Sequence, residues 1–344
     1  MRESTRGTLR DRPPPRSPPP PTGDRWAQLT SLRNPGASGC AGAPPSATAG
    51  YAEVSGPRLY RLRVPELPEV ETVRLGLLRV LVGQRVTGVR LGPHPVVRAP
   101  GGGRRDHATP APERMLRGSV VVNLHRHGKQ LAIEGSGGPA VWVHLGMSGQ
   151  LRFTVDARTE PAPPHTHATW ALASGAELRF VDPRRFGGLA THAGMEELRR
   201  ERFAAAGPDA LGATPARLHA ALRRTGRPLK AALLDQAVLA GLGNIYADEC
   251  CHAAGLSPHR PASSLTRAEV QRLVRAARRI LKRAVSLGGS TLRDHADTFG
   301  NAGTAQTLHR VYGRGGEPCL GCGAELRRTQ VAQRTTVHCP ACQP

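Results

Sequence analysis

Four cysteines near the C-terminus, Cys319-x2-Cys322-x16-Cys339-x2-Cys342, constrain the fold of this chain more tightly than any other feature. Each Cys-x-x-Cys pair closes a tight turn, and two such turns offer four soft thiolates to one tetrahedral ion, an arrangement that suits zinc. Protein fills all four positions and leaves none for a substrate, so the expected role is a structural Zn2+ in a finger built from short strands that carry the cysteines. Knuckle spacing in place of a disulfide framework also points to a reducing compartment, with Cys40, Cys250 and Cys251 left as free thiols. Arg327, Arg328 and Arg334 fall between the knuckles, where they would present cations to a phosphate backbone or a DNA groove.

The cationic bias extends along the chain. Lys plus Arg number 48 against 26 Asp plus Glu, a net charge of +22, which draws a polyanion and makes binding salt-dependent. Most of that charge is arginine, which a GC-rich genome alone would also produce, so the motifs must separate the two readings. No run of about 18 apolar residues exists to span a membrane. The first residues lack the apolar core of a secretory signal.

At 344 residues with 39% hydrophobic content, the chain has material for two or three domains. Residues 1–63 hold 11 prolines and 10 arginines without apolar periodicity; they are expected to be disordered, because little surface is available to offset ordering entropy. Their proline runs also oppose the amphipathic helix of a transit peptide. Order is expected from Pro65, where Val70, Val73, Leu77 and Val80-Leu81 recur at helical spacing and Gly83 supplies a stop.

Seven short, β-rich runs follow, at 86–91, 120–124, 130–134, 140–145, 151–155, 169–173 and 177–181, with loops at 93–112 and 156–168. That pattern predicts a two-sheet sandwich over 65–195. Helical patterns take over at 196–206, 215–224, 229–234, 245–254 and 267–287, the last opened by a Thr266/Glu269 capping box. The expected fold class is therefore α+β and multidomain: an N-terminal helix plus β-sandwich, a helical domain over 196–287, a loop region over 288–310, and a β-hairpin finger over 311–344. No internal repeat is present.

Three further stretches carry chemistry. Pro65-Glu66-Leu67-Pro68-Glu69 would matter if Pro65 were a chain start, because an N-terminal proline is a free secondary amine whereas an internal one is a tertiary amide. Gly241-Leu242-Gly243-Asn244-Ile245-Tyr246 makes a sharp turn into a helix, whose first N–H groups could receive a phosphate oxygen or whose Asn244 could be a plain N-cap. Asp182-Pro183-Arg184-Arg185-Phe186-Gly187 and His144 to Gly149 put an Arg, a Phe and Met147 on glycine-flanked loops, suited either to entering a base stack or to ordinary core and surface roles.

Together with Lys129 in Arg126-His127-Gly128-Lys129 and Val311-Tyr312-Gly313-Arg314 before the cysteines, these motifs run in one order from Pro65 to the C-terminus. In that order the chain resembles the formamidopyrimidine-DNA glycosylases. The resemblance implies a helix-two-turn-helix architecture for the helical domain and a bifunctional glycosylase and lyase of base excision repair. Its substrate would be double-stranded DNA containing oxidised bases, chiefly 8-oxoguanine and formamidopyrimidines.

Residue by residue, the resemblance makes Pro65 the nucleophile that attacks C1′ and forms a Schiff base, followed by β,δ-elimination, with Glu66 as general acid and base. Glu69 would be a supporting carboxylate. Lys129, Asn244, Arg334 and Lys230 would hold phosphates around the lesion. Met147, Arg184 and Phe186 would fill the void left by the extruded nucleotide. No organic cofactor and no membrane partner is implied, and the expected form is a cytoplasmic, nucleoid-associated bacterial monomer. Thr304 and Ala305, where the family commonly has aromatic residues, and His295, where Phe is usual, imply altered capping of the flipped base.

An endonuclease VIII-like preference for oxidised pyrimidines is the sister reading, and a non-catalytic damaged-DNA-binding protein would follow if residues 1–64 are retained. Val64 supplies a resolution: a GUG-type codon there could initiate translation, and removal of the initiator methionine would free Pro65. On this reading, translation starts at position 64, and residues 1–63 are an extension produced by a mis-assigned start.

Overall fold

The computed structural model describes residues 65–94, 96–97, 113–291 and 296–344. The expectations for residues 1–64, for most of the 93–112 loop and for His295 lie outside these residues. Helix α1 (Leu67–Leu81) opens the described fold with Pro68 in its first turn, where a missing N–H costs nothing. Its apolar stripe divides between two cores. Leu67 packs among the C-terminal helices, whereas Val70, Val73, Leu77 and Leu81 pack against the β-structure. The start of α1 is thereby held at the junction of the two domains.

Eight strands build the sandwich: β1 (Val86–Leu91), β2 (Val121–His127), β3 (Gln130–Gly135), β4 (Ala140–His144), β5 (Gln150–Thr154), β6 (Thr166–Leu172), β7 (Glu177–Val181) and β8 (Gly188–His192). They form two antiparallel four-stranded sheets, ordered β1-β6-β7-β5 and β2-β3-β4-β8. Leu124, Leu131, Ile133, Val143, Trp170, Leu178 and Phe180 lie in their shared core. Strand β8 goes beyond the seven runs expected from sequence. Its five residues start at a glycine and offer little alternation, and pairing with β4 from His144↔Gly188 to Ala140↔His192 decides the matter.

The predicted helix over 196–206 is instead a short α2 (Met195–Leu198) running into a π-helical turn over Arg199–Phe203. Beyond it come α3 (Pro215–Leu222), α4 (Leu229–Leu234), α5 (Asn244–Ala254) and α6 (Arg267–Ser286). Helix α6 buries Val270, Leu273, Val274, Ala277, Leu281 and Ala284, and exposes Arg272, Arg275, Arg279, Lys282 and Arg283. The Thr266/Glu269 capping box at its start is present. The segment after α6 returns to the sandwich, where Phe153 N–H donates to Thr298 O at 2.9 Å and Thr298 Oγ1 donates to Leu151 O at 3.0 Å.

A hairpin of β9 (Arg327–Val331) and β10 (Arg334–His338) closes the chain. The cysteines lie on the turns that flank this hairpin, not on the strands as expected, because paired strands alternate their side chains while a knuckle needs both sulfurs on one side.

Candidate active site

Glu66 lies just ahead of α1, but its carboxylate caps a different helix. Its Oε2 accepts from Gly243 N–H at 2.5 Å and its Oε1 from Ile245 N–H at 2.8 Å, so the first turn of α5 closes around it. A Cβ on residue 243 would lie 2.4 Å from the Glu66 carboxyl carbon, so only glycine admits this approach. The two readings of the glycine turn are therefore both revised: Gly243 is the N-cap, and the anion received by the helix start is Glu66. Glu66 is 3% exposed. Burial raises its pKa to about 7, Lys129 opposes that rise, Glu69 adds to it, and the Ile245 and Gly243 N–H groups oppose it.

Glu69 is buried and held on three sides. Its Oε2 accepts from Glu66 N–H at 2.9 Å, while its Oε1 accepts from Tyr246 Oη at 2.8 Å and from Ser290 N–H at 2.7 Å. Pro65, the residue before Glu66, is half-buried.

Lys129 sits with Gly128 at the tip of the β2–β3 hairpin. That tip is fixed from beneath: Arg126 pairs with Glu71 at 2.7 Å and with Asp209, and Gly128 N–H donates to Asp209 at 2.8 Å. Burial holds the Lys129 ammonium below its ordinary pKa; Glu66 and Glu69 counter this, and Arg334 adds to it. One hairpin tip, two carboxyls and the finger arginine thus share one electrostatic site.

The loops bearing Met147, Arg184 and Phe186 pack backbone against backbone. Gly146 adopts φ +64°, and a Cβ there would meet Gly187 N at 2.3 Å. Buried Asp182 ties the two loops together, accepting from Ser148 Oγ at 2.5 Å and Gly187 N–H at 2.8 Å. Arg184 reaches Met147 O at 3.3 Å. Phe186 is 48% exposed, which for a ring on a rigid turn marks a contact surface more than a core position.

At the finger, Ala332 and Gln333 both take positive φ in the two-residue turn before exposed Arg334, a conformation unusual for residues with a Cβ. Asn244 Nδ2 donates to Thr335 O at 3.2 Å, linking the start of α5 to this strand. Lys230 departs from its expected role as a phosphate contact. It is 0% exposed, and Nζ lies 2.8 Å from Asp248 Oδ1, 2.7 Å from Thr335 O and 3.0 Å from Thr336 Oγ1. An ammonium has three protons, and three protein acceptors surround this one. Burial raises the Asp248 pKa to about 6. This pair fastens α4 and α5 to β10.

The metal-ligating atoms of Cys319, Cys322, Cys339 and Cys342 all lie within 4.8 Å of one another, an arrangement that can hold a metal ion. His252 Nε2 stands 3.6 Å from Cys319 Sγ. Sequence reasoning missed His252, Tyr246, Ser290, and the Arg126, Glu71 and Asp209 cluster. Of these Arg126 and Tyr246 stood within motifs without a role of their own, and the contacts of the group span sequence separations that local patterns do not encode. Thr304 is exposed, and Ala305 enters the helical core with its N–H on Gly289 O at 3.0 Å.

The chain matches two consecutive family models, the formamidopyrimidine-DNA glycosylase N-terminal domain over residues 64–189 and the formamidopyrimidine-DNA glycosylase H2TH domain over 205–296. It is 43% identical over 282 residues to a formamidopyrimidine-DNA glycosylase of Geobacillus kaustophilus, covering 81% of this chain and 100% of that protein. A Xanthomonas oryzae relative of the same name is 42% identical over 285 residues, again across its full length.

Among solved structures, the MutM (Fpg) protein of Thermus thermophilus superposes with a TM-score of 0.67 at 41% identity, covering 81% of this chain and 98% of that one. Lactococcus lactis Fpg in complex with DNA containing an abasic site superposes with a TM-score of 0.70 at 30% identity, covering 81% and 99%. With both domains matched in order around one electrostatic site, and whole relatives aligned over the same stretch, the chain belongs to the formamidopyrimidine-DNA glycosylase family.

Proposed function

We propose that this protein is a base-excision-repair DNA glycosylase with AP lyase activity that removes oxidised purines, 8-oxoguanine and formamidopyrimidines, from duplex DNA. One observation carries the reading: the residue that follows Pro65 in the chain holds a buried carboxyl with a pKa near 7, at the junction of a sandwich and a helical domain. A group half-protonated at neutral pH can both give and take a proton, as glycosidic cleavage followed by elimination requires.

In this mechanism the free amine of Pro65 forms a bond to C1′ as the bond to the damaged base breaks. Glu66 protonates the sugar ring oxygen, the ring opens, and a charged iminium remains. That iminium withdraws electrons from the C2′–H bond, so loss of the C2′ proton expels the 3′ phosphate, and a second elimination expels the 5′ phosphate. Lys129, Asn244 and Arg334 hold the phosphates around the lesion. Met147, Arg184 and Phe186 enter the vacated stack, a role favoured by the rigid turn beneath an exposed ring. Lys230 has no part in this grip and works as an internal fastener.

A zinc ion fits the four-cysteine cluster. Four thiolates about 2.3 Å from a tetrahedral Zn2+ stand about 3.8 Å apart, and the Cys322 and Cys339 sulfurs already lie 3.4 Å apart. Its contribution is to hold the turn that carries Arg334. The protein would work as a monomer in the bacterial cytoplasm, on the nucleoid. Among the described residues no helix is long and apolar enough to cross a membrane.

The chemistry needs Pro65 as a free amine, and in the 344-residue sequence Val64 precedes it. The match of the family's N-terminal domain from residue 64 supports a working form that begins at Pro65. The test compares two proteins on an 8-oxoguanine duplex, one beginning at Pro65 and one verified by mass to retain residues 1–64. Nicking by the first alone is expected. Equal nicking by both would remove Pro65 as nucleophile, binding without nicking by either would favour a damage-binding protein, and a preference for oxidised pyrimidines would favour the endonuclease VIII-like reading.

A further inference from the structure

Glu69 is the inner end of a hydrogen-bond chain that leaves the catalytic pocket. Tyr246 Oη donates to Glu69 Oε1 at 2.8 Å, Ser290 Oγ is 3.2 Å from Tyr246 Oη, and His309 Nε2 is 3.1 Å from Ser290 Oγ. With Glu69 as the carboxylate, the chain has one polarity. A carboxylate only accepts, so the one hydroxyl proton of Tyr246 points at Glu69; Tyr246 must then accept from Ser290, and Ser290, its proton used, must accept from His309. His309 is therefore the Nε2–H tautomer, with Nδ1 as the position that gains the second proton.

The outer end of the chain opens on a cavity of about 250 Å³ between α5, α6 and residues 305–310, lined by Tyr246, Glu249, Arg279, Arg283, His309 and Arg310. We propose that His309 is a positioning residue that delivers protons from this cavity, through Ser290 and Tyr246, to Glu69. The proposal rests on the glycosylase reading and adds to it a second route for protons.

The transfer balances. The Nε2 proton of doubly protonated His309 passes to Ser290 Oγ, the Ser290 proton to Tyr246 Oη, and the Tyr246 proton to Glu69 Oε1. His309 ends neutral with its proton on Nδ1, Glu69 ends as the acid, and rotation of the two hydroxyls resets the chain. DNA seated over Lys129 and Arg334 would cut Glu66 off from bulk water, so a path on another face keeps the pocket in proton exchange. Neutralising Glu69 also removes a negative charge that helps Glu66 keep its proton.

The groups facing His309 set the balance of charge around it. Arg310 lies on its own segment, and the Tyr312 ring meets it edge-on at 5.6 Å. From α5 come Tyr246 and Glu249, whose carboxylate takes the N–H groups of Arg310, Val311 and Tyr312; from α6 come Arg279 and Arg283.

The test measures single-turnover cleavage of an 8-oxoguanine duplex and of a preformed abasic duplex from pH 5.5 to 8.5, in water and in D2O, for the protein beginning at Pro65 and for His309→Gln and His309→Leu. Gln still donates to Ser290 but does not titrate. His309→Gln is expected to keep the melting temperature and DNA affinity, to slow cleavage about tenfold, below the ~100-fold of a direct acid–base group, and to lose one ionisation from the pH profile.

A uniform slowing with an unchanged pH profile and isotope effect overturns the relay, as does a wild-type rate in both variants. A second measurement stands apart from activity: nitrogen NMR of the His309 ring should show the Nε2–H tautomer and a pKa that falls in Glu69→Gln, with that coupling weakened in Tyr246→Phe. If the parent protein cleaves nothing, the glycosylase reading fails while this arm still reports on the chain; an Nδ1–H tautomer there overturns the relay itself.

Discussion

Replacing Glu66 by Gln separates the titration of this group from its shape. Glutamine is neutral at every pH and nearly isosteric, whereas Glu66 carries a pKa raised from 4.5 to about 7 by burial. The folded protein keeps this proton over a range in which the unfolded chain has released it. The stabilisation linked to it is fully present below about pH 4.5 and is lost as the pH climbs through 7.

A shift of that size corresponds to about 3 kcal/mol. The carboxylate's N–H partners make that an upper figure for the net slope. Urea denaturation of the parent and of Glu66→Gln at pH 5, 6, 7 and 8 measures it. The stability of the variant relative to the parent should rise by up to about 2.5 kcal/mol across the series, or roughly 5 to 10 °C in relative melting temperature. Parallel pH curves would mean that Glu66 titrates normally, and the acid–base assignment would fall with its pKa.

Gly243→Ala places a methyl 2.4 Å from the Glu66 carboxyl carbon; single-turnover cleavage should fall ~100-fold as the carboxyl is displaced, and unchanged rates would mean α5 does not hold Glu66. Lys230→Met strands Asp248 without its cation and should cost about 3–5 kcal/mol in urea denaturation, whereas adding Asp248→Leu should restore most of that loss; a near-neutral single variant would contradict the fastener role. Elemental analysis of the parent is expected to find one zinc per chain and of Cys339→Ser none, and the salt dependence of log K for duplex DNA should flatten in the variant by about 0.9 for each phosphate that Arg334 would cease to neutralise. Full metal content in that variant would place the ion elsewhere.

Local chemistry made much of this architecture legible from the residues. The Val70, Val73 and Leu77 stripe, the Thr266/Glu269 box and the cysteine knuckles each state a structure within a few positions, and α1, α6 and the finger appear where they do. The site was less legible, because its parts meet over long separations. Nothing in Lys230 distinguishes a surface cation from one buried against Asp248 and β10, and nothing in Glu66 announces that its carboxylate caps a helix beginning at Asn244. Strand β8 and the π-turn after Leu198 depend on tertiary pairing and packing that outweigh weak local preference.

The central claim is that Pro65 nitrogen is the nucleophile, and borohydride trapping followed by peptide mass mapping tests it most directly. A protein beginning at Pro65, incubated with an 8-oxoguanine duplex and reduced, should yield one covalent adduct that maps to the Pro65 peptide and is lost in a form acylated at that nitrogen. An adduct on Lys129 or any other side chain, or trapping that persists with Pro65 acylated, would contradict the account.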